Sequence, residues 1–563
     1  MHKKVILLIL FFISGHSANL DDTQKEKKNY IKDLELENNI SYEDVVNTRG
    51  AYVTSMCYTK TKDNETKIIS NPCYSCHTVG KIPNYYNDTN LQKEYNFPIE
   101  MMKNPFTNLF KDRSEEVNKI SDKTILNYIR KSNYFDDNGN IKLSQELPKD
   151  WRGYRPDCYY NFDDDGFDRD KKGKYTLWRA FRYYPLLGTF WPTNGSTDDV
   201  LIRLDKVFSQ DDSGNFDLEI YKINLAIVES LVKQKNISLH STISELKYGV
   251  DFNQNGVFDR SNYIAISTYD KMSYIGMAKQ VLNNKKFDLA SGLFPENTEF
   301  LHSVRYIDWS FSDKNIKISK RMKELRYAKK KNWKTYSELN RIARTEFKER
   351  ISLGSDKAVL SSFRGNYEDG LNNDIGWIYQ GFIEDKKGNL RPQTHEETIN
   401  CMGCHSHLGV TTDSTFAFTR KFEGVDKNKN DFGWNHWTQK SLAGVKENQV
   451  VYKNIGRKNE YSFYLNNNHS GNEFRSNNEV KEKFFGINGI LNENIIEKLH
   501  NDVSLLLFPS YKRAIQLNKA YKVIVEEQSF IYGRYANVKP IDNVFLEIQE
   551  NQMTNITKVI VQQ

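Results

Sequence analysis

Cys73-Tyr74-Ser75-Cys76-His77 and Cys401-Met402-Gly403-Cys404-His405 repeat one pattern, C-x-x-C-H, in a chain of 563 residues with only 6 cysteines and 11 histidines. Two cysteines three apart, on a turn entering a helix, carry both sulfurs on one side. There they can form thioethers with the two vinyl groups of a haem, and the adjacent histidine turns its imidazole to the iron. The expectation is two covalently bound haem c groups, on Cys73 and Cys76 and on Cys401 and Cys404, with His77 and His405 as proximal iron ligands. A redox disulfide or a four-cysteine zinc site uses the same C-x-x-C pairs. Zinc would need the pairs to meet across 328 residues of sequence, and it gives no reason for a histidine in the same slot twice. A thioredoxin-like motif would want a βαβ context, which neither flank suggests.

On this reading the second axial ligand decides the chemistry. Met101 and Met102 follow His77 by 24 and 25 residues and offer a thioether; core packing is the plainer role for either. His395 and His436 are the distal candidates near the second motif. His407 sits two positions after His405 and points off that face. His240, His302, His469 and His500 are weaker candidates, since an isolated histidine is usually a surface or satisfied core residue. No catalytic residue is assigned.

Cys57 and Cys158 are the cysteines left over, and in an oxidising compartment they lean towards a disulfide, with two buried thiols as the alternative. Two loops have the lettering of calcium loops. Asn161, Asp163 and Asp165 take positions 1, 3 and 5 of one, with Asp168 at position 8; Asp251, Asn253, Asn255 and Asp259 take positions 1, 3, 5 and 9 of the other. Neither has a glutamate at position 12, where Lys172 and Asn262 stand. Asx/Gly hairpin turns use the same letters.

The elements that must position these residues divide the chain. Residues 1–18 read as a signal peptide: Lys3 and Lys4, an apolar run from Val5 to Ile13, then Gly15, Ser17 and Ala18. The run is too short to span a bilayer, and no cysteine follows it, so a lipid anchor is not indicated. The inference is a bacterial periplasmic or secreted protein without a membrane span in the mature chain. A charged lead-in and the first haem region fill 19–132, with a helix expected from the motif onward and another after Ser121. Residues 133–301 carry short aromatic and β-branched runs between Asp/Asn/Gly clusters, the pattern of a mostly β inserted module. A basic helical segment and a hairpin follow in 302–390, the second haem region in 391–470 and a helical C-terminal region in 471–563. The fold class is α+β and multidomain, with helical cytochrome c-type haem regions. Net charge is +7, too modest to suggest nucleic acid. Residues 314–349 hold 13 Lys/Arg against 4 Glu; they read as a solvated helix face or as a docking surface for an acidic redox partner.

With its two C-x-x-C-H motifs the chain resembles the dihaem c-type cytochromes. More distantly it is similar to the dihaem cytochrome c peroxidases, the MauG-type enzymes and the dihaem rubber oxygenases, in which one haem relays electrons to a second, open haem. The resemblance implies single-electron transfer through two haems. Its alternative is a peroxidase- or oxygenase-like oxidoreductase with one open iron.

Overall fold

Stiff, branched and aromatic side chains pack well on a pleated surface, and Asp/Asn/Gly turns return the chain, so the runs of 133–301 become strands. The computed structural model describes residues 24–30, 53–64, 66–81, 83–84, 88–188, 192–266, 271–353, 363–405, 411–423, 432–469, 477–486 and 488–562. Its first twelve strands are β1 (Phe167–Arg169), β2 (Tyr175–Phe181), β3 (Thr197–Asp198), β4 (Val200–Arg203), β5 (Ile237–Ser244), β6 (Arg260–Ile264), β7 (Glu299–Ser310), β8 (Asn315–Lys330), β9 (Arg364–Asn366), β10 (Gly370–Asn372), β11 (Trp377–Glu384) and β12 (Leu390–Pro392). Ten of these form one sheet in the order β1-β2-β4-β7-β8-β11-β10-β9, with β3 added on β7 and β12 on β11. The pairings are antiparallel. β5 and β6 form a separate hairpin.

The helices that matter here are α1 (Asp122–Arg130), α2 (Leu218–Lys233), α3 (Tyr336–Leu353), α4 (His395–His405), α5 (Glu460–Asn468) and α6 (Tyr511–Glu527). Ser121 caps α1 by accepting from Thr124 N, and Ser510 caps α6 by accepting from Arg513 N. The architecture is mixed α+β with a helical C-terminal region, as the sequence pattern predicts. Among the described residues no helix is long and apolar enough to cross a membrane.

The basic segment departs from expectation. Its first half is not a helix but β8, a central strand whose partners are β7, from Glu299↔Lys329 to Ser310↔Asn315, and β11, from Trp377↔Lys330 to Ile383↔Glu324. A strand buried on both faces has no clean two-residue alternation, so its apolar residues mimic helical spacing. Lys317 and Lys320 are solvated, but the charges from Arg321 onward are neutralised or packed internally. Arg321 bonds Glu384, Arg326 Nε lies 3.0 Å from Glu324 Oε2, Lys330 Nζ lies 2.6 Å from Asp413 Oδ2, and Lys323 sits over the Tyr521 ring at 4.1 Å. Only α3 fulfils the helical reading of this segment.

The start of the described chain is tied to its end. Isolated bridges pair Thr59 with Val544, Glu94 with Met553 and Lys103 with Glu547. Gln92 is the clamp behind the first motif: its Nε2 donates to His77 O at 2.8 Å and Val561 O at 3.1 Å, and its Oε1 accepts from Ile560 N at 2.9 Å.

Candidate thiol centre

Pro72 stops any earlier helix, and Cys73–Ser75 forms a single tight 3₁₀ turn, with His77 N donating to Cys73 O at 2.8 Å. The longer helix expected from this motif does not follow. Tyr74 is wholly buried, edge-on to Tyr452 and Phe463, which anchors the turn from below. His77 Nδ1 lies 2.7 Å from Asp88 Oδ2. Burial disfavours a charged ring, but Asp88 outweighs it, helped by the Cys57 thiol, and raises the His77 pKa to about 10.

The second motif ends α4. Met402 is buried in the core between its two cysteines. His405 Nδ1 donates to Ser414 O at 3.0 Å, and Tyr379 lies against the ring at 4.7 Å between centroids. Asn373 Nδ2 donates to His405 O at 3.0 Å and to Ser414 Oγ at 2.9 Å. Here burial prevails and lowers the pKa to about 4. The two histidines therefore differ at neutral pH: His77 is an imidazolium, and His405 a neutral ring with its proton on Nδ1.

The tertiary structure brings the motifs together. Cys57 and Cys401 pack against one apolar core, and Asn84 Nδ2 donates to Thr411 O at 3.0 Å, joining the loops beyond the two motifs. Burial, then Cys404 and Cys57, push the Cys76 thiol well above its ordinary range. Burial, then Cys57 and Cys401, push Cys404 up to about 12. Thr54 Oγ1 lies 3.4 Å from Cys57 Sγ. Three thiols from three distant segments thus share one low-dielectric neighbourhood. Among the described residues no group of three or more His, Cys, Asp or Glu is placed to hold a metal ion, so the pairs meet without forming a zinc site.

Other expected residues lie elsewhere. Cys57 and Cys158 are not bonded to each other, and all six cysteines are free thiols. Cys158 is buried in a separate cluster beside Tyr134, whose hydroxyl donates to its carbonyl at 2.8 Å. Met101 is fully buried in the core and its carbonyl accepts from Tyr58 Oη at 2.6 Å; Met102 is half-buried. His395 opens α4, ten positions and about 15 Å of helix before His405. His436 has both nitrogens engaged, Nε2 with Asp199 Oδ2 and Nδ1 with Thr438 Oγ1, each at 2.9 Å. His407 falls in 406–410, and the signal peptide in 1–23, outside the described residues.

Neither calcium loop stands as a calcium site. Asp163 Oδ1 accepts from Asp165 N and Phe167 N, and its Oδ2 pairs with Arg169; Asp165 pairs with Lys222. Asp168 accepts from Tyr159 N, Asn161 N and Thr176 Oγ1. In the other loop Asp251 caps Gly256 N, Asn253 caps Asn255 N, Asn255 caps Val257 N, and Asp259 takes the amides of Asn253 and Asn255. The oxygens that would surround an ion close hairpin turns instead.

Sequence reasoning missed Asp88 and Ser414, the hydrogen-bond partners of the two histidines, Tyr379, which packs on the His405 ring, and the place of Cys57 beside the motifs. A lone Asp eleven residues after a histidine carries no local signal.

A family model described as a "-like lipoprotein" matches residues 45–502. An uncharacterised lipoprotein of Aquifex aeolicus (strain VF5) is 32% identical over 522 residues, 85% of this chain and 84% of that protein. No solved structure matches. The chain belongs to this lipoprotein family, and is an exported, envelope-associated protein. Membership corrects the haem reading: the family and the relative are described as lipoproteins, not as cytochromes, peroxidases or oxygenases. Two covalent haems, one-electron transfer through them, peroxidase or oxygenase chemistry at an open iron, and the distal-ligand roles of Met101, Met102, His395 and His436 do not stand. The physical reason for the misassignment is that C-x-x-C-H specifies two thiols and an imidazole on one turn, and a turn does not specify what they react with. The lipoprotein description runs against the expectation that no lipid anchor is indicated.

Proposed function

We propose that this is an envelope protein, periplasmic or secreted, whose working part is a thiol centre built from Cys73 and Cys76, Cys401 and Cys404, and Cys57. The observation that carries the reading is the meeting of Cys57, Cys76 and Cys404, each half-buried, close enough that Cys57 acts on both of the other thiols. Burial pushes Cys76 and Cys404, the second thiol of each C-x-x-C pair, upward, so both stay protonated at neutral pH. In this reading the first cysteine of each pair is the point of entry. In exchange with a partner disulfide, the thiolate of Cys73 or Cys401 attacks one sulfur, a mixed disulfide forms and a partner thiolate leaves. The second cysteine then attacks the mixed disulfide, the partner leaves as a dithiol, and the pair is left as a disulfide. Two electrons pass to the partner.

An acidic partner would find a smaller basic surface than the composition of 314–349 suggests. Lys314, Lys317, Lys320, Lys331, Arg341 and Arg344 are exposed, whereas Arg321, Lys323 and Lys330 are buried.

The test is differential alkylation and intact mass of the purified chain equilibrated in glutathione buffers from −150 to about −320 mV. The expected result is reversible conversion of Cys73–Cys76 and Cys401–Cys404 between dithiol and disulfide. Six thiols indifferent to the buffer would sink the reading. So would a covalent group on the four cysteines, seen as added mass and visible absorbance.

A further inference from the structure

The hairpin of β7 and β8 outruns the rest of its sheet. Among the described residues β11 accompanies β8 only as far as Glu324, and β3 accompanies β7 only as far as Arg305. β7 and β8 go on pairing with each other from Ile307↔Ile318 to Ser310↔Asn315. This end is a two-stranded ribbon. Its turn is closed by Ser310 Oγ, which accepts from Asp313 N at 3.4 Å, and by Lys314, whose φ of 49° is left-handed.

A solvated ribbon end calls for polar side chains, yet this one carries large aromatic rings. Phe311, in the turn, is 61% exposed. Its ring meets Tyr511, the first residue of α6, at 5.7 Å between centroids, and Tyr511 meets Trp309 at the same distance. Trp309 and Tyr511 are half-buried.

The charge around these rings is mostly of one sign. Arg130, the last residue of α1, lies over the Phe311 ring at 6.0 Å. Lys314 and Lys317, in and after the turn, and Lys512, next to Tyr511, are exposed. Two acids stand against these four bases. Asp308 is buried beneath them, paired with Arg130 at 3.0 Å and Lys317 at 3.5 Å, and Asp313 is bonded to Ser310 in the turn. Asp122, which also acts on Tyr511, is balanced by Lys519 at 2.7 Å.

Aromatic rings with one polar end settle at the headgroup level of a bilayer, and Lys and Arg beside them attract anionic headgroups. The family places the chain at the cell envelope, where such a surface is at hand. We propose that the end of the β7–β8 ribbon is a lipid-contacting tip: Phe311, Trp309 and Tyr511 enter the headgroup region of an anionic bilayer, and Arg130, Lys314, Lys317 and Lys512 meet its phosphates. The contact is reversible, since it inserts no helix and its electrostatic part is screened by salt.

The experiment is co-sedimentation of the full mature chain, free of attached lipid, with two kinds of vesicle: phosphatidylglycerol and phosphatidylcholine in equal parts, and phosphatidylcholine alone. The expected result is saturable binding to the mixed vesicles, weaker by at least about tenfold on phosphatidylcholine alone and falling with added salt. Phe311→Ser should weaken it about tenfold, and the pair Lys314→Glu, Lys512→Glu by at least as much. Thermal melts of these surface variants should match the parent. Absence of binding to the mixed vesicles, equal binding to both kinds, or unchanged binding in either variant overturns the proposal. Binding of polyglutamate in place of vesicles would assign the tip to an acidic protein. A dimer in sedimentation velocity that is lost in Phe311→Ser, without vesicle binding, would assign it to a second copy of the chain. Either result overturns the lipid reading.

Discussion

Asp88 Oδ2 lies 2.7 Å from His77 Nδ1, with 2% of the Asp88 side chain exposed, and this one contact gives the two C-x-x-C-H motifs different charge. The folded-state pKa of His77, about 10, lies above its ordinary 6.5. The pair's contribution is fully present below pH 6.5 and is lost as pH rises through about 10. Asp88→Asn should therefore cost about 3 kcal/mol at pH 6 and progressively less towards pH 10. Denaturant melts at pH 6, 8 and 10 check this; an equal cost at all three would show that the ion pair is not the cause.

The raised thiols predict slow chemistry. With a pKa of about 12, Cys404 has a thiolate fraction at pH 8 on the order of a thousandfold below that of an ordinary cysteine. Iodoacetamide labelling of the reduced native chain, followed by peptide mass spectrometry, should find Cys404 slow by about that factor and faster by about tenfold per pH unit. Labelling of Cys404 at the rate of free cysteine would contradict the burial argument.

Lys330 Nζ and Asp413 Oδ2 form an ion pair at 2.6 Å with both side chains 1% exposed. Removing one charge leaves the other buried and unpaired, so Asp413→Asn should destabilise by roughly 3–5 kcal/mol. The double replacement Lys330→Met, Asp413→Leu should recover most of that loss. Double-mutant analysis of chemical denaturation gives both numbers, and a double variant as unstable as the sum of the singles would refute the pairing argument.

Calcium should leave the protein unchanged. Asp163, Asp168 and Asp251 already accept backbone N–H groups, so the thermal melt in millimolar calcium should match that in chelator. A rise in melting temperature lost in Asp251→Ala would reinstate the ion.

Much of the fold is local and was legible. The helix after Ser121, the helix after Ser510 and the β11–β12 hairpin follow from caps, turns and periodicity, because those signals act within a few residues. β8 was misread because burial on both faces erases the two-residue period, and because Lys323 and Lys330 find partners that are distant in sequence, at Gly195 and Asp413.

By itself the sequence determined the unit of chemistry: two thiols and an imidazole on one turn, written twice, in a chain that opens with an export-like apolar run. Only the tertiary structure decided the rest. It set Cys57 beside both motifs, gave His77 a carboxylate and His405 a carbonyl, and closed the acidic loops upon their own N–H groups. These outcomes depend on burial and on partners up to hundreds of residues away. A pKa or a hydrogen bond is a property of the surroundings, and the surroundings of a turn are supplied by the whole fold.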